Sequence, residues 1–281
     1  MAKRFRPRRF LRRGGLITLS LDGREPRTAP YLSGPAPEIT RIDIWLHRLS
    51  PAYDGLKIVH LTDLHHSLFT PLEEIQHAVH VANHLRPDLV ALTGDYVTLS
   101  RDYIWPVAEA LGRLRARFGI FAVLGNHDFQ VDPDEVTRAL RAHSVRVLRN
   151  AHWALRARSA ALWVVGVDDL WWQADDLGAA LHAVPARETR ILLCHNPLGI
   201  RAASEHNIDL VLSGHTHGGQ VRLPVVGSVY GRSRLGERFV DGWNRLKSTQ
   251  IYISRGIGKV LVPLRVGCPP EIACLRLRRV P

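Results

Sequence analysis

Cysteine is scarce in this sequence: three residues, Cys194, Cys268 and Cys274, occur among 281. An odd number without a Cys-x-x-Cys pair predicts neither a disulfide framework nor a zinc knuckle. Reduced thiols are typical of cytosolic proteins, so we expect a cytoplasmic location.

Long apolar runs are also missing. No stretch approaches the roughly 18 uninterrupted apolar residues that a membrane-spanning helix needs. Hydrophobic residues nevertheless make up 46% of the chain, which is enough for a sizeable core. We therefore expect a soluble chain, or at most one that is attached to a membrane surface.

Acidic residues are absent from the first 13 positions, which carry seven basic ones: Lys3, Arg4, Arg6, Arg8, Arg9, Arg12 and Arg13. A disordered, solvated arm explains this charge run, and adhesion to anionic lipid or nucleic acid explains it as well. Residues 8–12 resemble a twin-arginine export signal, but the apolar stretch at 16–21 is shorter than a working signal needs. A membrane-peripheral location therefore stays open, and export is the less favoured interpretation.

The composition changes after the tail. Residues 1–37 predict a basic tail and a linker that contains Pro and Gly, and residues 38–281 predict one α/β domain. Short apolar segments predict buried strands at 56–61, 89–92, 120–124, 191–193 and 208–212. Helical spacing predicts helices at 72–85, 103–118 and 133–143, the last with Asp132 as N-cap.

The centre of the chain has a different pattern. Segments 145–148, 152–156 and 162–167 predict sequential antiparallel strands, and further strands are predicted at 220–223, 250–254 and 272–276. Strands without intervening helices imply a mixed sheet. We therefore predict two packed mixed β-sheets flanked by helices.

Five of the apolar strands end in polar residues. The endings are Asp63-Leu64-His65-His66, Gly94-Asp95, Gly125-Asn126-His127-Asp128, His195-Asn196-Pro197 and Gly214-His215-Thr216-His217-Gly218-Gly219-Gln220. Sites form at the carboxyl edge of α/β sheets, so we expect these side chains to meet there.

The residue types indicate metal binding. Carboxylate oxygen and imidazole nitrogen suit Mn, Fe, Zn and similar ions. Asp63 and His65 lie two positions apart, so both can face one ion, and His215 and His217 have the same spacing and can reach two neighbouring ions. Two dications in one pocket need an anionic bridge, for which Asp95 is the candidate. Close approach of backbone and metal explains the glycines at 94, 125 and 214.

Each of these residues has an ordinary interpretation when it is taken alone. Asp63 could be a helix cap, Asn126 a turn residue and His195 a loop histidine. The joint occurrence of five such endings favours a site. A non-catalytic membrane- or nucleic-acid-binding scaffold remains the alternative, although the basic tail lacks the interleaved aromatics of a nucleic-acid binder.

The five endings, in this order, resemble the DxH, GD, GNHD/E, H and GHxH motifs of the calcineurin-like metallophosphoesterase superfamily. The resemblance covers roughly residues 39–278 and implies a four-layer α/β/β/α sandwich. Segments 214–220, 252–258 and 269–272 resemble the bacterial YkuE/YaeI-type phosphodiesterase branch.

The resemblance implies a dinuclear site and a reaction. Two divalent ions (Mn, Fe, Zn or Ni) would be held, the first by Asp63, His65, Asp95 and His217, the second by Asp95, Asn126, His195 and His215. It implies hydrolysis of phosphoesters, above all phosphodiesters, by a hydroxide that bridges the metals. His127 would assist the leaving oxygen, and Asp128 would hold the imidazole of His127.

The substrate is less constrained. The branch resemblance also implies, as an alternative, hydrolysis of the UDP-2,3-diacylglucosamine pyrophosphate in lipid A synthesis. Trp171 and Trp172 either pack in the core or form an apolar surface at the site rim. With the basic tail, the second interpretation favours a lipid-linked phosphoester at an anionic membrane surface. No protein partner is inferred.

Overall fold

The computed structural model describes residues 36–157, 160–223 and 239–281, together with short strands at Leu16–Ile17, Ala29–Pro30 and Gly227–Ser228. The chain divides into two compact units, Met1–Gly34 and Pro35–Pro281. The predicted tail and linker at 1–37 falls almost wholly outside the described residues, so its role stays a prediction.

The strands of the described chain are β1 Leu16–Ile17, β2 Ala29–Pro30, β3 Glu38–Leu46, β4 Lys57–Leu61, β5 Leu89–Leu92, β6 Ile120–Ala122, β7 Arg146–Val147, β8 Ala151–Ala157, β9 Ala160–Gly166, β10 Thr189–Leu193, β11 Leu210–Ser213, β12 Arg222–Leu223, β13 Gly227–Ser228, β14 Gly242–Leu246, β15 Thr249–Ile253 and β16 Glu271–Arg279. The helices are α1 Leu72–His84, α2 Ile104–Leu111, α3 Asn126–Val131, α4 Pro133–Ala142, α5 Leu177–Ala180 and α6 Ile200–Glu205. Short 3-10 turns lie at Pro51–Tyr53, Arg101–Tyr103, Pro197–Gly199 and His217–Gly219.

Two six-stranded sheets form the domain. One has the order β3-β16-β4-β5-β6-β7 and the other the order β14-β15-β11-β10-β9-β8. Strands β4, β5, β6 and β7 are mutually parallel, and so are β9, β10, β11 and β15. Strand β4 is antiparallel to β16, and β8 and β14 are antiparallel to their neighbours. The predicted pair of mixed sheets is therefore confirmed.

Alternation along the strands produces three apolar layers. In β4, Val59 and Leu61 belong to the layer under α1, α2 and α4, whereas Ile58 belongs to the layer between the sheets. In β10, Leu193 faces that same inter-sheet layer, and Leu192 packs under α5 and α6. The resulting order is helices, sheet, sheet, helices, as expected of the sandwich.

Local signals account for the helix boundaries. Asp132 caps α4, because its Oδ1 accepts the N–H of Glu135 at 3.0 Å and Pro133 occupies the first helical position. The helix predicted at 103–118 is shorter and ends at Leu111. Gly112 follows this helix. A Cβ at Gly112 would lie 2.7 Å from the Cβ of His143, so the end of α2 packs closely on the end of α4 at a position where only glycine fits.

One strand pairing was predicted wrongly. Segment 145–148 contributes β7, which pairs in parallel with β6 in the first sheet, whereas β8 and β9 form the predicted antiparallel pair in the second. Helices α3 and α4 connect β6 to β7, and a helical crossover produces parallel neighbours. Among the described residues, no helix is both long and apolar enough to cross a bilayer.

Candidate metal centre

The predicted site residues lie together at the carboxyl edges of the two sheets. Asp63 and His65 follow β4, Asp95 follows β5, and Asn126 begins α3 after β6. From the second sheet, His195 follows β10, and His215 and His217 follow β11. The parallel strands bring their carboxyl ends to one edge, so residues as far apart as 63 and 217 become neighbours.

The first cluster consists of Asp63, His65 and His217, all buried. The Nε2 atoms of His65 and His217 are 2.9 Å apart, and Nε2 of His217 is 3.3 Å from Oδ1 of Asp63. One ligand atom from each of the three residues falls within 4.8 Å of the others. This separation fits donor atoms around one small cation.

The second cluster consists of Asp95, Asn126, His195 and His215. Nε2 of His195 lies 3.2 Å from Oδ2 of Asp95 and 3.3 Å from Nδ1 of His215. That Nδ1 is 2.9 Å from Oδ1 of Asn126. Oδ2 of Asp95 also lies 3.5 Å from Nε2 of His65, so this carboxylate stands between the two clusters.

The tautomer of His195 is fixed by its surroundings. Its Nδ1 is 2.7 Å from the backbone carbonyl oxygen of Thr93. A carbonyl can only accept, so Nδ1 carries the hydrogen, and Nε2 of the neutral ring presents a lone pair. That lone pair faces a carboxylate oxygen of Asp95. Two acceptors at 3.2 Å repel each other unless a cation or a proton lies between them.

The protonation states suit a metal site. Burial by itself would raise the pKa of Asp95, but His195 and His65 outweigh it and hold that pKa below its usual range. Burial lowers the pKa of His217 well below its ordinary value and that of His215 to about 4. Burial disfavours the charged form of His195, yet Asp95 raises its pKa to about 10. Without a metal, a proton on His195 therefore balances the Asp95 carboxylate.

The backbone of the site is strained. Asp63, His65, Asp95, His215 and His217 have φ values of 52°, 46°, 55°, 71° and 52°. L-residues rarely adopt this left-handed region, and such conformations cluster at functional sites. Five of the seven ligand-type residues therefore share the left-handed conformation.

The three predicted glycines permit close approach, as expected. A Cβ at Gly214 would lie 2.1 Å from Oδ2 of Asp63, and one at Gly125 would lie 2.2 Å from Oδ1 of Asp95. A Cβ at Gly94 would meet the backbone nitrogen of Gly125 at 2.4 Å. A larger residue at Gly125 or Gly214 would displace a carboxylate, and one at Gly94 would displace the backbone of the neighbouring loop.

His127 lies at the mouth of the site. Its ring is half-buried, with its centroid 4.8 Å from that of His65, and its backbone N–H donates to Oδ1 of Asp95 at 2.8 Å. One of its nitrogens also falls within 4.8 Å of ligand atoms of His65 and Asp95. Burial lowers the pKa of His127, and the charge of Asp95 opposes this effect.

The expectation that Asp128 holds the imidazole of His127 is wrong. The two oxygens of Asp128 accept four backbone N–H groups, those of Asp95, Tyr96, Val97 and Gly125. Each carboxylate oxygen has two lone pairs, so its acceptor capacity is used. Asp128 therefore fixes the loop that carries Asp95.

The two tryptophans lie at the rim of the second cluster. Trp171 is 69% and Trp172 51% exposed, so neither is a core residue. Nε1 of Trp172 donates to the carbonyl oxygen of Asn126 at 3.1 Å, and the ring of Trp171 is centred 6.2 Å from that of His215. They form an apolar surface beside the site.

Sequence reasoning missed several supporting residues. Nδ1 of His65 is 2.6 Å from the hydroxyl oxygen of Thr98. The guanidinium of Arg265 is partly buried behind His217, 3.4 Å from its Nδ1, and donates to backbone carbonyl oxygens that include that of Gly258. Such contacts join distant parts of the chain, so the local sequence carries no signal for them.

The segment at 252–258 supports the loop of Asp63. Gly258 donates its N–H to the carbonyl oxygen of Asp63, at 2.6 Å. Glu271, in the segment at 269–272, accepts from the N–H of Arg255 and the hydroxyl of Tyr252. Two of the three segments that suggested a particular branch thus form one hydrogen-bonded unit that supports the loop of Asp63.

The chain is similar in sequence to known proteins. Residues 56–219 match the family model described as calcineurin-like phosphoesterase. YkuE, an uncharacterized metallophosphoesterase of Bacillus subtilis (strain 168), is 32% identical over 254 residues, which cover 89% of this chain and 88% of YkuE. Phosphodiesterase YaeI of Escherichia coli (strain K12) is 34% identical over 241 residues, covering 82% and 86%.

A solved structure shares the fold. The protein TT1561 of Thermus thermophilus superposes with a TM-score of 0.51 at 14% identity, over 72% of this chain and 90% of that one. At this identity the likeness concerns the arrangement of sheets and helices alone.

Gly258→Ala tests the support of the Asp63 loop. A Cβ there would lie 2.1 Å from the backbone oxygen of Leu64, and overpacking of this kind costs about 1–3 kcal/mol. We expect the free energy of unfolding, measured in urea, to fall by that amount. Gly178→Ala is the control, because its Cβ meets only a side-chain oxygen of Asp176 at 3.3 Å. Equal changes in both variants would contradict the assigned role of the glycine.

Proposed function

The chain belongs to the calcineurin-like phosphoesterase family, and we propose that it cleaves phosphodiesters with two divalent metal ions held by the two clusters. The observation that carries the proposal is the approach of Nε2 of His195 to Oδ2 of Asp95 at 3.2 Å, while Nδ1 of the same ring is committed to the carbonyl oxygen of Thr93. A dication held by these two atoms would replace the proton that otherwise satisfies the pair. The phosphodiesterase name of YaeI supports the substrate class.

The donor set fits such ions. The first position would be held by Asp63, His65, Asp95 and His217, and the second by Asp95, Asn126, His195 and His215. Mixed carboxylate, amide and imidazole ligands suit Mn, Fe, Zn or Ni and offer no soft sulfur. Asp95, which approaches both histidine groups, supplies the shared anionic ligand.

Bound divalent ions lower the pKa of water toward neutrality and neutralise phosphate charge. The protein contributes orientation. Asp63 receives the N–H of His215 on both carboxylate oxygens, at 3.1 and 3.0 Å, which ties the β4 loop to the β11 loop. The hydroxyl oxygen of Thr98 contacts Nδ1 of His65, and the backbone oxygen of Thr93 accepts from Nδ1 of His195. These contacts orient the two rings, as partners of metal-binding histidines do.

His127 is the proposed proton donor to the leaving oxygen. It is the half-buried histidine at the mouth, its ring stands edge-on to that of His65, and its backbone is fixed on the Asp95 carboxylate. A substrate phosphorus near the two clusters would place an ester oxygen within reach of its free nitrogen. The exposed Trp171 and Trp172 would contact an apolar or aromatic leaving group.

Ligand variants test the two metal positions. We expect His195→Ala and Asn126→Ala to lose the second ion and retain the first, because the first cluster keeps its three residues. Elemental analysis of the purified protein measures the metal content, and His206→Ala is the control, because this histidine is exposed and its ring bonds the carbonyl oxygen of Ala202 in its own helix. Full occupancy of both positions in the ligand variants would contradict the assignment.

The acid role predicts a dependence on the leaving group. We expect His127→Ala to slow hydrolysis of an alkyl phosphodiester by about 10²–10⁴-fold, the usual contribution of a positioned acid. The p-nitrophenyl ester should slow far less, since its leaving group needs no proton. Metal content should not change. Equal slowing of both esters rejects the acid role, and loss of a metal would make His127 a ligand instead.

A substrate panel separates the remaining functions. The metal-loaded protein is incubated with bis-p-nitrophenyl phosphate, a phosphomonoester and UDP-2,3-diacylglucosamine. Turnover of the diester with several metals is the result we expect. Cleavage of the lipid substrate alone would favour the lipid-linked alternative, which the exposed tryptophans and the seven basic residues of the tail support. No turnover with any metal would point to a binding scaffold.

A further inference from the structure

A sixth strand end reaches the site. Strand β9 lies beside β10 in the second sheet, with Gly166 opposite Leu193, and the next residues along the two strands lead to Asp169 and His195. Asp168 is paired with Arg149 through a hydrogen bond of 2.8 Å, so its charge is accounted for. Asp169 is 1% exposed and has no such partner among the described residues.

The two oxygens of Asp169 are used unequally. Oδ1 accepts the N–H of Trp171 at 2.9 Å and that of Trp172 at 3.1 Å, and the backbone oxygen accepts from Ala174. These bonds close the rim turn, residues 169–174. Within the described part of the chain, nothing donates to Oδ2, although this atom is buried.

A buried carboxyl oxygen needs a partner in either protonation state. If Asp169 is ionised, Oδ2 is an acceptor without a donor. If it is protonated, the hydrogen lies on Oδ2, because Oδ1 already accepts two N–H groups, and the resulting O–H lacks an acceptor. Buried polar atoms of this kind are usually satisfied by an ordered water that contacts about three polar groups.

The rim turn that Asp169 closes lies beside the second cluster. The rim turn holds Trp172 on the carbonyl oxygen of Asn126 and Trp171 beside His215. Burial raises the pKa of Asp169, while His195 lowers it and Asp95 raises it. The carboxyl group therefore lies within the electrostatic range of the residues proposed to hold the second ion.

We propose that Asp169 is a positioning residue for the second metal position: its Oδ2 accepts a hydrogen bond from a water held there, while its Oδ1 fixes the rim turn. This inference rests on the proposed two-metal function. Outer partners that orient metal ligands typically change metal affinity by about 10–100-fold when they are removed. Asp169 would thus contact the rim turn through Oδ1 and the second metal position through Oδ2.

Manganese titration of the chelator-treated full chain tests the proposal, with binding followed by calorimetry and by the Mn²⁺ resonance signal. Asp169→Asn keeps an oxygen for the two tryptophan amides and removes the second acceptor. We expect the second ion to bind about 10–100-fold more weakly, with the first unchanged. Asp168→Asn is the control, because it removes the same charge from the neighbouring residue.

A second variant covers the risk of misfolding. In Asp169→Ser, the hydroxyl can still cap the turn amides, but there is no second oxygen, so the same selective weakening is expected. Thermal unfolding verifies that each variant is folded at the titration temperature.

Each contrary result has a distinct meaning. Unchanged binding of the second ion in both Asp169 variants overturns the inference, and Oδ2 then holds a purely structural water. An equal loss in Asp168→Asn also overturns it, because the effect is then one of net charge. A wild-type chain that binds fewer than two ions overturns the proposed function and this inference together.

Discussion

Two buried carboxylates, Asp63 and Asp95, set the main constraint on this structure. Each is at most 2% exposed, and burying an ionised carboxylate costs several kcal/mol unless opposite charge compensates it. The surrounding imidazoles offer lone pairs as well as protons, as the fixed tautomer of His195 shows. Bound dications would neutralise the negative charge of these atoms. The surrounding fold holds the atoms close together.

The two sheets supply that rigidity. Backbone hydrogen bonds cross between the loops at their carboxyl edges: Asp63 donates to the carbonyl oxygen of Gly94, His65 to that of Asp95, and Gly214 to that of His195. Sites carried on strand ends are held more precisely than sites on free loops. The left-handed backbone at five of the seven proposed ligands persists because these bonds and the packed layers below determine it.

Burial divides the site into parts with different roles. The residues of the first cluster are buried from solvent, and their proposed role is to hold the first metal ion. His127 and the two rim tryptophans are partly open to solvent, so they can meet a substrate. Asp128 and Asp169 are both fully buried acids, yet they differ: Asp128 uses all its acceptor capacity on backbone amides, whereas one oxygen of Asp169 has no donor within the described chain. Asp128 therefore fixes a loop, whereas Oδ2 of Asp169 can still accept a hydrogen bond at the site.

The sequence by itself determined the two-sheet α/β class and the meeting of its ligand-type residues at strand ends, because apolar periodicity and residue spacing are local properties. It also marked Gly214 as a point of close approach. Only the tertiary structure decided that β7 runs parallel to β6, that Thr98 orients His65 and that Asp128 supports the loop of Asp95 rather than a histidine. These features depend on hydrogen bonds and packing between residues far apart along the chain, and no local pattern encodes which partners will meet.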